Sequence, residues 1–337
     1  MVYKMEKILF GAKKNVYKGN MHCHSTLSDG CLTPEELKDY YKSHGYSFLA
    51  ITDHEFLKNN SYLDDEDFIT ITSCEIAIKE FPKLSTLKNF DMKVCHLNFY
   101  AKEQDNDYNF FYNSVADHFS SFEQKAKLNK PSAEMERVYG GDGINELIKA
   151  ANENGFFVAY NHPRWSLENY REYSKYEGLW GVEIFNTSCN RAGHYEYDLN
   201  VHDDFLRDGK RVFATSGDDN HNHINDSFGT ALMVEAESLE YSKIIDGLLN
   251  GDFYTTTGPC IEKISVNGNK VTVVCSKAQN IYYTTYGRHA KSVTAEHGEY
   301  LNTATFEIFD TDIYFRISVV DEYGHRADSQ AYFLDEI

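Results

Sequence analysis

The chain has 337 residues, 42% of them hydrophobic, enough for one large domain and a small one. Spread acidic residues, 52 against 33 basic ones, leave a formal charge of −19 that disfavours binding to a nucleic-acid duplex. No apolar run approaches the roughly 18 residues of a membrane span, and Met1 to Lys18 lacks the apolar core of a signal peptide, so no membrane partner and a cytoplasmic location are expected.

Strand and helix signals alternate to about residue 250, the pattern of a parallel α/β architecture. Thr33-Pro34-Glu35-Glu36 predicts a helix start, with Thr as N-cap and Pro in the first turn. That helix should run to about His44 and stop at Gly45, and the strand Ser47 to His54 follows. Residues 102–142 read as an insertion rich in aromatic and charged residues. Within it Tyr108, Phe111, Tyr112, Val115, Phe119 and Phe122 show helical spacing, which predicts a lid or an interface element; His118 reads as a surface residue. A helix ending at Gly155 leads to strands ending at His162, Asn186 and Ser216, then to Gly229–Glu237 and a helix through Ile244, Ile245 and Leu248.

A boundary is expected at Gly251-Asp252-Phe253-Tyr254 and Gly258-Pro259. Beyond it, Ile261–Val266, Val271–Cys275, Ile281–Thr285, Ala304–Phe309 and Ile313–Val319 read as short strands, with a tight hairpin turn at Asn267-Gly268. The expected domains are 1–256 and 257–337, the second a small antiparallel β-sandwich. Its Tyr282, Tyr283 and Tyr286 read as half-buried strand residues or an intersubunit contact rather than a carbohydrate surface, and a homo-oligomer is compatible with the sequence.

Six segments end short apolar runs with metal-type ligands: His22, His24 and Asp29; His54; Glu75; His96; His162; and Asp219 with His221. Ligands at the carboxyl ends of successive strands are what a barrel enzyme sets around its mouth. Nine such groups exceed the needs of one ion, so two or three are expected. His22-x-His24 on a strand places both imidazoles on one face, where they share an ion. The seven cysteines contain no Cys-x-x-Cys. Cys23, Cys74 and Cys95 alternate with ligands and read as buried apolar fillers. The mixed imidazole and carboxylate set suits Zn²⁺, Mn²⁺ or Fe²⁺ better than Mg²⁺ or Ca²⁺.

These motifs are His22-Cys23-His24-Ser25 with Ser28-Asp29-Gly30, Thr52-Asp53-His54, Cys74-Glu75, His96-Leu97, Asn161-His162-Pro163 and Gly217-Asp218-Asp219-Asn220-His221. In this order they resemble the polymerase-and-histidinol-phosphatase (PHP) family of metal-dependent phosphoesterases over about the first 255 residues. The resemblance implies a distorted (β/α)7 barrel that hydrolyses a small phosphorylated substrate through a metal-bridging hydroxide, a phosphomonoester before a phosphodiester. It places His22, His24, Glu75 and Asp219 at a first ion, Asp29, His54 and His221 at a second, and Glu75, His96 and His162 at a third. Many members carry His where this chain has Asp29. Asp218 is the alternative to Asp219, His223 reads as a loop residue, and Asp53 as structural.

Phosphate binding also needs side-chain charge. Arg164, Arg191 and His194 lie in loops expected at the mouth, the arginines as phosphate clamps and His194 as a proton donor to the leaving group. Two other classes compete. An amidohydrolase-like enzyme would use a bridging lysine, and no lysine is expected at a strand end, where Glu75 takes that place. A non-catalytic, metal-stabilised binding protein would lack ligands, and none is missing from this set.

Overall fold

The computed structural model describes residues 6–13, 15–80, 92–114, 126–195 and 197–337. The chain divides into two compact units. One comprises 18–229 with 239–242; the other comprises 1–17, 230–238 and 243–337. This division does not coincide with a boundary at 256/257.

The larger unit is an assembly of short strands with few helices. β2 (Asn15–Asn20), β3 (Phe48–Ala50) and β4 (Ile69–Ile71) pair in parallel through residues 19–20, 48–50 and 69–71. β5 (Ser73–Lys79), β6 (Val94–Ala101), β7 (Phe156–Tyr160), β8 (Gly181–Asn186) and β9 (Phe213–Gly217) form a second sheet in that order. Isolated bridges connect the two, His54 with Glu75 and Cys23 with Asn220. The helices are α1 (Pro34–Ser43), α2 (Gly141–Glu153), α3 (Tyr170–Tyr173), α4 (Thr187–Arg191) and α5 (Leu199–Arg207).

The result is a mixed α/β fold rather than a regular barrel in which every strand is parallel and followed by a helix. β5–β6 and β6–β7 are antiparallel, and only a 3₁₀ turn at Ser61–Leu63 separates β3 from β4. Residues 51–68 are long enough to cross over between the parallel strands β3 and β4 without forming an α-helix.

Local chemistry explains the elements that the sequence announces. α1 starts on a capping box, Thr33 and Glu36 bonding reciprocally to each other's backbone N–H, and ends at the His44 cap, before Gly45 at φ 76°. The insertion behaves differently from its periodicity. Residues 108–114 form turns, and Val115, His118, Phe119 and Phe122 lie outside the described residues. Phe110 and Phe111 are instead driven into the core, packing within 5.7 Å (ring centroids) of Phe99. The same core contains Cys74 and Cys95, while their neighbours Glu75 and His96 project to the other face. None of the seven cysteines is in a disulfide.

The smaller unit is antiparallel. One sheet runs β1 (Lys7–Phe10), β12 (Ile261–Asn267), β13 (Lys270–Ala278) and β16 (Leu301–Glu307). Another contains β15 (Lys291–Thr294), β14 (Asn280–Thr285), β17 (Tyr314–Val320), β18 (Arg326–Ser329), β11 (Phe253–Thr256) and β10 (Ala231–Ala236), with β19 (Tyr332–Phe333) pairing with β17. Most of α6 (Tyr241–Asn250) belongs here too. Val271 and Val273 of β13 share a core with Ile281 of β14 and Phe315 and Ile317 of β17. Asn267 pairs with Lys270, so Gly268-Asn269 is the two-residue hairpin loop, with Gly268 at φ 62°. Tyr283 is buried, its hydroxyl donating to Asp312 at 2.8 Å, and Tyr286 is exposed. Among the described residues, no helix is long and apolar enough to cross a membrane.

Candidate metal centre

All nine expected ligands converge within the larger unit. Their donor atoms fall into three sets, each within 4.8 Å: His22, His24, Glu75 and Asp219; His24, Asp29, His54 and His221; and Glu75, His96 and His162. His24 belongs to two sets, where the motif had placed it in one.

Glu75 is the hub. Its Oε1 lies 3.3 Å from His22 Nε2, 3.0 Å from His96 Nδ1 and 3.3 Å from His162 Nε2. Its Oε2 lies 3.3 Å from His24 Nε2 and 3.2 Å from His54 Nδ1. Asp219 Oδ1 faces His22 and His24 at 3.1 and 3.0 Å, and Asp29 Oδ1 faces His221 Nε2 at 3.4 Å.

The backbone is bent to hold these groups. Asp219 has φ 52° and His162 φ 25°, the left-handed region that non-glycine residues avoid. The Asp219 N–H donates to His22 O at 2.8 Å and the His24 N–H to Asn220 O at 3.0 Å, fixing one motif against the other. Gly217 permits the approach: a Cβ there would lie 2.3 Å from His22 Cβ and 2.7 Å from Glu183 Oε1.

The donor set fits cations. His22, His24 and Glu75 are almost fully buried, yet His22 Nε2, both His24 ring nitrogens and Glu75 Oε2 make no hydrogen bond. Buried polar atoms are normally satisfied, and converging lone pairs repel unless positive charge lies among them. Burial opposes charge on His22, but Asp219, Glu75 and Glu183 outweigh it and raise its pKa well above the usual imidazole range. His24 responds alike: burial is outweighed by Asp219 and Glu75, and its pKa is pushed up to about 10. Burial resists the charge on Glu75, and the surrounding imidazoles His96, His22 and His54 nonetheless hold its carboxyl well below the carboxylate range.

Neighbouring carboxylates divide the labour. Asp218 is not in the ligand sets: it accepts from Thr187 Oγ1 and from the Phe228 and Gly229 N–H groups, and Tyr41 Oη lies 2.8 Å away. Asp53 ties down the 25–28 loop through Ser25 N, Ser25 Oγ and Ser28 Oγ. His223 is exposed and contacts Cys31 and Asp29 O.

The proposed phosphate residues are not at the cavity. Arg164 is 53% exposed and pairs with Asp198 at 3.4 Å, while Arg191 and His194 are exposed; none of the three lines the pocket beside the ligands. Their segments do border it through Trp165, Ser188, Cys189 and Ala192, but these three side chains are exposed instead, which residue order does not reveal. Lys79, overlooked in the sequence, does line it. It ends β5, correcting the reading that no lysine ends a strand. Glu75, Ala77 and Lys79 alternate along one strand face, a signal that was available. Glu183 was also missed: buried, it accepts from the His162 N–H and Asn186 Nδ2 at 3.0 Å and contacts His22 Nδ1 at 3.1 Å.

No protein-family model and no curated protein sequence matches the chain. Solved structures similar to it are described variously, one as containing a PHP-like metal-dependent phosphoesterase, one as a metal-dependent phosphoesterase and one as an amidohydrolase. A two-domain protein of Bacteroides vulgatus, described as containing such a domain on prediction, is 14% identical over 99% of both chains, with a TM-score of 0.46. A protein of Bifidobacterium adolescentis, described as a candidate metal-dependent phosphoesterase, is 15% identical over 60% of this chain and 87% of its own, with a TM-score of 0.39. An amidohydrolase of Chromobacterium violaceum, with bound sulfate and no metal, is 16% identical over the same shares, with a TM-score of 0.36.

Proposed function

We propose that this chain is a metal-dependent phosphoesterase of the PHP type, acting on a phosphomonoester of a small metabolite or nucleotide. The observation that carries the reading is the convergence of nine imidazole and carboxylate groups into three sets joined through Glu75 and His24. The sequence motifs point the same way. A distorted (β/α)7 barrel is our reading of the circuit formed by β2, β3, β4 with β5, and β6 to β9, which the bridges 54–75 and 23–220 bring round on itself.

His22, His24, Glu75 and Asp219 would hold one ion, Asp29, His54 and His221 a second, and Glu75, His96 and His162 a third. Zn²⁺, Mn²⁺ and Fe²⁺ suit this donor chemistry. Divalent cations bound there supply Lewis acidity toward phosphoryl oxygens and acidify water. The chain's own part is to orient the donors. Glu183 fixes the His22 ring, and Asn161 Nδ2 donates to Glu75 Oε1 at 2.8 Å. A reducing compartment such as the cytoplasm accords with seven cysteines outside disulfides.

The test is a panel of phosphomonoesters, phosphodiesters, amides and lactones, offered to protein reconstituted with each metal and assayed for bound ions. Phosphomonoester hydrolysis dependent on the metal is expected. Hydrolysis of amides or lactones alone would replace this reading with the amidohydrolase one.

A further inference from the structure

The cavity beside the ligands has a volume of about 380 Å³, near the lower end of pockets that take small organic molecules. Beyond the ligands, its lining includes Lys79, Met92, Val94, Trp165 and Ala192. Charge and apolar surface therefore meet in one small space.

Trp165 stands directly against the third ligand set, its ring centroid 5.1 Å from that of His96 and 4.9 Å from that of His162. Its loop is held on both sides: the Ser166 N–H donates to His162 O at 3.1 Å and the Val94 N–H to Ser166 O at 3.2 Å. The indole is nevertheless 36% exposed. An apolar ring left wet in a concave site costs free energy in proportion to its exposed area, at about 25 cal/mol per Å². A planar aromatic group on the substrate would cover it by stacking.

Lys79 occupies the same strand face as Glu75, four residues on, and reaches the same cavity. Among the described lining residues it is the one lysine or arginine. An ammonium group binds phosphate as a point charge.

We infer that Lys79 holds the phosphoryl group and Trp165 the organic group of a phosphomonoester whose alcohol carries a small planar aromatic ring. This rests on the phosphoesterase reading and names its substrate class. Polyol phosphates are disfavoured, because Met92, Val94 and Ala192 offer their hydroxyls no hydrogen-bond partner, which leaves Ser188 and the indole N–H to serve several, and burying an unpaired hydroxyl is costly.

The chain has two tryptophans, and Trp180 is only 8% exposed, so ligand-dependent emission reports chiefly on Trp165. The zinc-loaded protein is titrated with phenylphosphonate and with 2-hydroxyethylphosphonate, neither of which is a phosphoester. Phenylphosphonate should shift the emission and bind about tenfold more tightly, the scale of one aromatic pair. In the two variants that lack this reporter, binding is followed by calorimetry: Trp165→Ala should abolish that preference with metal content unchanged, and Trp165→Phe should retain most of it. Lys79→Met should weaken both ligands alike by about tenfold or more, the loss of a charged hydrogen bond, while Lys79→Arg retains binding.

Equal affinity of the wild type for both phosphonates, or a preference that survives Trp165→Ala, overturns the part assigned to Trp165. Unchanged binding by Lys79→Met overturns that of Lys79. Equal hydrolysis of phenyl phosphate and glycerol phosphate leaves the phosphoesterase reading standing and removes this one. If the loaded protein hydrolyses no phosphoester at all, the parent reading fails and takes this inference with it.

Discussion

Glu183 lies 3.1 Å from Nδ1 of His22, while Nε2 of the same ring faces Asp219 at 3.1 Å. One imidazole is thus held between a carboxylate that orients it and one that shares its ligand set. Replacing Glu183 by Gln should weaken metal binding by roughly ten- to a hundredfold, as other losses of partners behind a ligand histidine do. Competition against a graded series of chelators measures this, with stoichiometry at saturating metal unchanged. An affinity equal to the wild type would reduce Glu183 to a packing residue.

Glu75→Gln should have a different signature. Its two oxygens face separate groups of imidazoles, so more than one ion should be lost per chain under metal-replete conditions. Elemental analysis decides; loss of one ion or none would deny Glu75 a bridging place.

Gly217→Ala places a methyl group 2.3 Å from His22 Cβ. Overpacking of this kind costs about 1–3 kcal/mol, and the collision falls on a ligand. Thermal unfolding should show the destabilisation, and bound metal should drop with it. A variant with wild-type stability and metal content would mean that the 217–219 turn yields easily.

Arg164→Ala should be nearly silent. The side chain is 53% exposed and its partner is Asp198; such pairs contribute roughly 0–1 kcal/mol. Turnover should stay within about twofold of the wild type, the range of ordinary surface substitutions. A loss of an order of magnitude would return Arg164 to the phosphate.

Glu168 offers a pH test away from the ligands. Tyr139, Tyr160 and Tyr176 donate to this buried carboxylate, Tyr139 and Tyr160 at 2.7 Å each and Tyr176 at 2.5 Å. Burial raises its pKa above the ordinary 4.5 despite those hydroxyls. A carboxyl with a raised pKa binds its proton more tightly folded than unfolded, so stability is lost as pH rises from about that ordinary value through the folded one. Glu168→Gln has no such proton. Melting temperatures followed from acid to neutral pH should show the wild type losing ground to the variant. A constant difference would refute the shift.

The ligand set was legible because its chemistry is written in residue types at the ends of apolar runs, and strand alternation separated Cys74 from Glu75 and Cys95 from His96. The hairpin at Gly268 and the capped helix at Thr33 were legible for similar local reasons. The placement of the arginines was not. Arg164 and Arg191 are close in sequence to residues that line the cavity, but which way a loop side chain turns depends on tertiary packing, and Arg164 turns to Asp198. Lys79 lies beyond the strand end expected at Glu75, whereas β5 continues through it in the same register. The aromatic run after Tyr108 has helical spacing; where described, Phe110 and Phe111 are used as core packing without a helix. The antiparallel turn of β5 through β7 depends on pairing between distant segments, which no local pattern encodes.

Strand β1 pairs with β12, Lys7 opposite Val266 and Ile8 opposite Ser265, and Lys7 Nζ reaches Glu336 O at 2.6 Å. The smaller unit therefore draws on residues more than three hundred positions apart. During synthesis, residues 7–10 must wait, with one edge unpaired, while the whole larger unit emerges ahead of their partner. Contacts of such separation close late and slow folding. Residues 7–10 thus precede the larger unit in synthesis yet can pair only after it.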